Sequence, residues 1–373
     1  MELRITTLAS LGCYVKTIDA NFWEGRRVFI TGHTGFKGSW LALWLSDLGA
    51  KVYGYSLPLL PTDDFLFGEK AKQGVKSTFG DLRHLNSLVD SALASEASIV
   101  FHLGAQALVP KSFDDPVGTY GTNVMGTLNV LEACRRLPTL DAVINITSDK
   151  CYENNEWERG YKETDRLGGF DPYSSSKACS EILTSSYYRS FLADKNISAV
   201  TVRAGNVIGG GDWAPNRLMP DAIRAFSSGT SLKVRYPNST RPWQHVLEPI
   251  GAYICLAQYA ADAGSSKYSS WNIGPDVESV QSVASVTRKI TELWGAGASW
   301  ELDDGQHPHE AGRLALDISK ATSILGWKPI WNLNTALEKT ITWYLAHSKN
   351  ENLYNLSIKQ IRDYMNDQND KIS

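Results

Sequence analysis

Short apolar runs alternate with longer stretches of helical periodicity along the first two hundred residues. Arg26-Arg27-Val28-Phe29-Ile30 opens the pattern as a strand-like run entering a glycine loop. From Ser39, Ser-Trp-Leu-Ala-Leu-Trp-Leu-Ser-Asp-Leu reads as a mostly buried helix stopped by Gly49. Lys51-Val-Tyr-Gly-Tyr-Ser56 then reads as a second strand, completing one strand–helix–strand unit. Comparable runs at 98–102, 142–146 and 199–203 are separated by helical segments near 86–95, 119–137 and 173–193. Parallel strands need crossovers of this length, and strands covered on both faces read as continuous apolar runs. The pattern therefore predicts an α/β protein with a doubly wound parallel sheet.

After Gly209-Gly-Gly-Asp212 the pattern changes: Pro and Trp become frequent and the helices shorten. Residues 21–210 are expected to form a dinucleotide-binding domain and 211–347 a smaller, interleaved substrate domain. The segment of about 242–262, with its buried-helix run Val246 to Ala260, returns to the first domain. Residues 1–20 lack periodicity and read as an extension, and 348–373 as a polar tail, a charged helix at best. Composition narrows the class. With 43% hydrophobic and 21% charged residues the chain is of globular type, and a net charge of −3 gives no basic field for a nucleic-acid backbone. The long apolar stretch after Glu248 meets Asp262 after 13 residues, short of the ~18 a membrane span needs. No cleavage-site pattern follows the N-terminus, and five scattered cysteines without a CxxC pair predict neither a disulfide framework nor a zinc site. A reducing cytoplasm is the expected compartment.

Three local patterns carry chemistry. Gly32-His33-Thr34-Gly35-Phe36-Lys37-Gly38 lies between a predicted strand and helix, where missing side chains let backbone N–H groups approach a pyrophosphate; an ordinary tight turn is the plain alternative. Tyr173-Ser-Ser-Ser-Lys177 puts a phenol and an ammonium on one helix face, 25 residues after Ser148. A cation there lowers the phenol's pKa, so that a phenolate accepts the proton of an alcohol losing hydride; a solvated helix face is the alternative. Thr147-Ser148-Asp149-Lys150-Cys151-Tyr152-Glu153 sits at the carboxyl end of a predicted strand, where open parallel sheets place their ligand crevice. Asp149 and Lys150 set an acid beside a base, or form a self-neutralising surface pair. A lysine serves as a base only where burial or a neighbouring cation, here Lys177, makes it neutral, and an aspartate holds a proton only where desolvation raises its pKa.

The glycine spacing and the Tyr-Lys pair resemble the extended short-chain dehydrogenase/reductase family, which implies a Rossmann-type NAD-binding sheet. Ser-Asp-Lys with its flanking Cys-Tyr-Glu-Asn-Asn-Glu-Trp, and the loop Gly-His-Thr-Gly-Phe-Lys-Gly-Ser-Trp, are similar to those of CDP-glucose 4,6-dehydratases, over roughly Phe22 to Leu345. In the related dTDP-glucose enzymes the acid–base pair is Asp-Glu. The resemblance implies cofactor contacts at Gly32, His33, Gly35, Phe36, Lys37, Gly38, Asp81, Leu82, Leu103, Ala105, Gln106, Asn123, Tyr173 and Lys177. The chain departs from the pattern at Ser56, where the second strand should end in an acid for the adenosine ribose. Loose binding of NAD rather than NADP is expected, because no arginine follows Ser56 to clamp a phosphate. Substrate contacts are implied at Ser148, Arg203, Asn206, Arg217, Leu218, Asp221, Arg241, His309 and Arg313. Arg241 would clamp a diphosphate through its guanidinium fork. His307-Pro-His309-Glu310 is expected to be a substrate loop rather than a metal site.

The activity so implied is that of a lyase: CDP-glucose loses water to give the 4-keto-6-deoxy sugar, a step toward deoxysugars and lipopolysaccharide O-antigen. Tyr173 and Ser148 serve C4 oxidation, Lys150 takes the C5 proton and Asp149 protonates the leaving C6 hydroxyl. The resemblance also implies a homodimer, or a tetramer, packed through the helices at 119–137 and 173–193, with Ala178, Ile182 and Ser185 to Tyr188 offering a face for the seam. Two rivals share parts of the pattern. An epimerase of the same fold has no use for Asp149-Lys150, and a non-catalytic dinucleotide sensor need not retain Ser148, Tyr173 and Lys177.

Overall fold

The computed structural model describes residues 17–59, 66–262, 266–295, 297–303, 305 and 312–372. Seven strands form one sheet: β1 (Arg27–Thr31), β2 (Lys51–Ser56), β3 (Val75–Phe79), β4 (Ile99–His102), β5 (Ala142–Ile146), β6 (Ser198–Ala204) and β7 (Tyr268–Ile273). Their order is β7-β6-β5-β4-β1-β2-β3, and every neighbouring pair is parallel. The chain reverses its direction of travel across the sheet between β1 and β4, and such a switch point opens a crevice beyond the strands' carboxyl ends. Strands β4, β5 and β6 are buried along their whole length, which is why they stand out as apolar runs. The edge strands β3 and β7, Val-Lys-Ser-Thr-Phe and Tyr-Ser-Ser-Trp-Asn-Ile, are partly exposed and polar; the hydrophobic pattern does not predict them.

Helices cover both faces. On one, α1 (Phe36–Asp47) and α5 (Leu247–Ala261) build the larger core with Trp40, Trp44, Ile250 and Ile254. On the other, α2 (Leu85–Ser95) and α3 (Gly126–Arg136) pack Leu88, Val89, Val130 and Leu131 on Phe29, Val100 and Val143. α4 (Pro172–Tyr187) is capped by Asp171, whose carboxylate accepts from Ser174 N, and it carries Tyr173 and Lys177. Of the N-terminal extension, Asp19 and the residues after it pack on α5: Asp19 N and Trp23 Nε1 both donate to Gln258 Oε1.

The C-terminal segment is more than a polar tail. α6 (Leu333–Ser348) is followed by α7 (Leu353–Ile372), which packs on α1 and α6. Ser357, Ile358, Gln360, Ile361, Tyr364 and Gln368, which recur with helical spacing along one face, are buried, while polar residues cover the remaining face. Tyr364 reaches through to the buried Glu248 on α5, its hydroxyl donating to Oε2 at 2.9 Å. Few apolar letters in α7 carry this contact, so the sequence understates its burial.

Candidate active site

The glycine loop is built for close approach. Gly32 has φ +76°, and a Cβ there would lie 2.7 Å from Gly104 N; a Cβ on Gly38 would lie 2.0 Å from Gly32 O. Only glycine lets β1, the β4 loop and the first turn of α1 meet so tightly. A cavity runs from this loop past Ser56, Asp81, Leu82, Leu103 and Ala105 to Tyr173 and Lys177. Gly35, Phe36, Lys37 and Gly38 also line it, so the residues present fit a dinucleotide. Three expected cofactor residues stand behind its wall. His33 lies in the core with its ring against Gly54, bonded to Ser56 Oγ at 2.8 Å and Ser77 Oγ at 2.9 Å, and burial lowers its pKa to about 4. Asn123 accepts from Gln106 N at 2.8 Å and donates to Gln106 O and Ser176 Oγ at 2.9 Å each. Neither Asn123 nor Gln106 reaches the cavity; together they tie the loop after β4 to α4.

Ser148, Asp149 and Lys150 follow β5 as a single turn of 3₁₀ helix over Asp149–Cys151. Ser148 Oγ accepts from Lys150 N at 3.2 Å and donates to Asp149 Oδ1 at 3.0 Å. Asp149 is buried, and burial raises its carboxyl above the usual range, while Lys150, the Ser148 hydrogen bond, Lys37 and Arg241 pull it back. Lys177 donates to Ile146 O at 3.2 Å, and burial with the nearby Lys37 lowers its pKa to about 8. Burial pushes the Tyr173 phenol up to about 12, against the nearby Ser148 hydroxyl and the charge of Arg217. Arg217 thus adds a cation beside the phenol.

A second cavity shares Phe36, Lys37, Thr147, Tyr173, Asp212 and Arg217 with the first and extends along Ser148, Lys150, Asn206, Leu218, Asp221 and Arg241. Arg217 is held by Asp212 at 2.9 Å, and Asp221 pairs with Arg224. Arg241 donates to Thr240 O and Gly312 O, which aims its guanidinium along the wall. Asp149 borders neither cavity: its carboxyl lies just behind Ser148, against Gly205.

Two expected substrate residues are corrected. Arg203 lines neither cavity; it is buried on β6 in a two-pronged pair with Glu181 of α4, at 2.8 and 2.9 Å, and donates to the Tyr152 hydroxyl at 2.7 Å. An ion buried there must be paired, and Glu181, four residues after Lys177 on the same helix face, is the signal for that partner. Arg313 is exposed, donates to Glu158 O at 2.9 Å and also lines neither cavity. His309 lies outside the described residues.

Other residues were not foreseen. Lys233, Arg235, Tyr236 and Trp243 line the second cavity, from segments with no periodic pattern. Arg83 lines the ribose end of the first, so an arginine does stand near Ser56. It is already bound to Asp81, through Nε and Nη2 at 2.6–3.0 Å, and that bond holds the Asp81 carboxyl low. The dimer seam is also revised: Ala178 packs inward with Cys151, Tyr152 and Tyr161, while Ile182 stays exposed.

Comparisons with known proteins agree with this geometry. The sequence pattern of the GDP-mannose 4,6-dehydratase family matches residues 29–340. The chain is 47% identical to the CDP-glucose 4,6-dehydratase of Salmonella typhimurium over 354 residues, 93% of this chain and 98% of that protein. Among solved structures, MoeE5 in complex with UDP-glucose and NAD superposes with a TM-score of 0.70 at 25% identity, covering 86% of this chain and 99% of that one. The dTDP-glucose 4,6-dehydratase of Bacillus anthracis, in complex with NAD, has a TM-score of 0.71 at 20% identity, covering 89% and 100%, and shares the fold.

Proposed function

We propose, for a chain that belongs to the GDP-mannose 4,6-dehydratase family, that it is a CDP-glucose 4,6-dehydratase, converting CDP-glucose to CDP-4-dehydro-6-deoxyglucose and water. The observation that carries this reading is the placement of Ser148-Asp149-Lys150 at the carboxyl end of β5, beside the Tyr173 wall that both cavities share. The 47% identity to the Salmonella enzyme supports the choice of CDP-glucose.

The glycine loop and the cavity to Ser56 and Asp81 would hold NAD, which when bound would supply reversible hydride acceptance, so that the reaction shows no net oxidation. The chain's own groups handle the protons. Tyr173, as phenolate, takes the C4 hydroxyl proton, and Ser148 orients that hydroxyl. The C4 ketone then acidifies C5, whose proton Lys150 takes from within the cavity. Asp149, whose carboxyl burial raises, supplies the proton that leaves with the C6 hydroxyl. Arg217 and Arg241 line the part of the wall suited to a diphosphate.

The chain acts as a homodimer. Val117, Tyr120 and Met125 on the segment before α3, with Ile182 on α4, leave apolar side chains exposed on adjacent helices, which supports such a seam. The cytoplasm is its compartment and deoxysugar assembly, including O-antigen, its purpose; unpaired thiols at Cys134, Cys151, Cys179 and Cys255 suit a reducing environment.

The test is turnover of CDP-, dTDP-, GDP- and UDP-glucose with added NAD, read as the alkali-induced absorbance of a 4-keto sugar and as solvent deuterium at C5. CDP-glucose should give both signals. Formation of a C4 epimer without the keto product overturns the reading. Lys150→Ala should abolish C5 deuteration; a variant that still forms product within tenfold of the parent rate, about 1.4 kcal/mol, removes Lys150 from the base role.

A further inference from the structure

We propose that Trp213 is a further cofactor-binding residue, its indole, braced by α6, stacking on the adenosine half of the dinucleotide. The proposal deepens the dehydration reading above, from which it takes NAD as the ligand. Among the described residues, Leu57, 61% exposed, and Trp213, 40% exposed, are the exposed large apolar side chains that border either cavity. Both border the first, the one that holds the glycine loop. Apolar surface left open inside a ligand groove marks contact with that ligand.

Two segments bring this surface to the ribose end. Leu57 follows Ser56 directly. The chain after β2 also meets the loop that carries Trp213: a Cβ on Gly211 would lie 2.3 Å from Leu66 Cδ1. Polar recognition at that end is thin. Ser56 offers a neutral hydroxyl already bonded to His33 Nδ1 at 2.8 Å, and the Asp81 carboxylate is bound by Arg83. An aromatic wall supplies what these groups do not, because every base has a face that stacks on a ring.

The indole is held in place by the chain itself. It meets Tyr344 edge-on at 5.1 Å and His347 at 5.0 Å, and His347 stacks in turn on the buried ring of Trp343 at 5.8 Å. The backbone of the loop is fixed as well. The Tyr344 hydroxyl donates to Asp212 O at 2.6 Å, Arg224 Nη1 to Trp213 O at 3.0 Å and Arg217 Nη1 to Asp212 Oδ2 at 2.9 Å. A ring so braced loses little freedom when a ligand arrives.

Titration of cofactor-free protein with NAD and with ADP, read by calorimetry and by tryptophan fluorescence, tests the assignment. NAD should quench part of the parent's fluorescence. Trp213→Phe should keep NAD affinity within about threefold and lose that quench. Trp213→Ala should bind NAD and ADP each at least about fivefold more weakly, the lower end of what stacking one base contributes. Trp157→Phe removes a ring equally exposed that borders neither cavity, and should behave as the parent. A merely structural role would weaken CDP in the second cavity, which Trp213 does not border, as much as NAD; the expected CDP affinity of Trp213→Ala is within about twofold of the parent's. Less than fivefold weakening of NAD or ADP in Trp213→Ala, a quench that survives in Trp213→Phe, or CDP binding lost in step with NAD overturns the assignment. A parent that binds NAD but forms no 4-keto sugar from CDP-glucose fells the dehydration reading alone, and one that binds no NAD fells both.

Discussion

The turn after β5 and the first turn of α5 each bury a carboxylate, yet only one of them belongs to a site. Asp149 and Glu248 are both nearly inaccessible, and burial raises both. Their surroundings differ. Asp149 feels the charges of Lys150, Lys37 and Arg241, all on cavity walls, and touches a hydroxyl that opens onto the sugar cavity. Glu248 accepts from Ile330 N, Trp331 N and the Tyr364 hydroxyl, under a lid of aromatic rings in which Trp331 and Trp44 meet Tyr364 edge-on at 5.2 and 5.6 Å. A raised pKa marks a candidate, but reacting groups must also reach a ligand. Glu248 has no path to one; it anchors α7 and the 330–331 turn to α5.

The sharpest way to break this contrast is to neutralise each acid. Asp149→Asn keeps size but delivers no proton, so elimination should slow by roughly 10²–10⁴-fold. A substrate carrying fluorine at C6, a leaving group that needs less protonation, should recover much of that loss. Glu248→Gln should leave turnover of the folded enzyme within about threefold, since nothing it touches lines a cavity. Equal losses on the hydroxyl and fluoro substrates would remove Asp149 from the acid role, and a large loss at Glu248 would erase the distinction.

Glu181 adds a third solution, a buried carboxylate with its own buried cation. Thr147 and Thr201 donate to it, and Arg203 closes a two-pronged pair. Arg203→Met strands the charge and should cost about 3–5 kcal/mol, the usual penalty for breaking one partner of a buried pair, read as a lower urea midpoint. The KM for CDP-glucose should stay within about twofold. A raised KM with an unchanged midpoint would return Arg203 to the substrate site.

Arg203 also shows where sequence reading stops. Tyr173, Lys177, Ser148, Asp149 and Lys150 are legible because their chemistry depends on spacing within a few residues and on the end of a fully buried strand. The destination of Arg203 depends on Glu181, 22 residues earlier and on another element, and short-range pattern does not encode that pairing. The same holds for Arg83, which folds back onto Asp81, and for Lys233, Arg235 and Tyr236, which reach the cavity from a three-residue strand and the chain just after it. Among the elements, β3 and β7 escape notice because an edge strand needs little apolar sequence, and α7 because its buried positions, half of them polar residues, are diluted among exposed polar ones. The cofactor half is written in glycines and buried strands, whereas the sugar half is written in long-range contacts.

The smallest expected effect concerns pH. Burial pushes Glu248 up to about 7, against the backbone bonds from Trp331 and Ile330, the Tyr364 hydroxyl and the charge of Lys371. A carboxyl with a pKa above its unfolded value of 4.5 binds its proton more tightly in the folded state. Its contribution is therefore fully present below pH 4.5 and is lost as pH rises through 7, with a slope of at most about 1.4 kcal/mol per pH unit for one proton. His245, which packs on Trp331, is lowered to about 3 by burial and Lys339, so it stays neutral in the fold while its unfolded form takes up a proton below 6.5; it adds a slope of opposite sign, which is common to the parent and Glu248→Gln. Between pH 5 and 8 the urea midpoint of the parent should fall relative to that of Glu248→Gln as pH rises. Parallel curves for the parent and Glu248→Gln would mean that Glu248 is ionised beneath α7 at pH 6, and that three hydrogen bonds outweigh its burial.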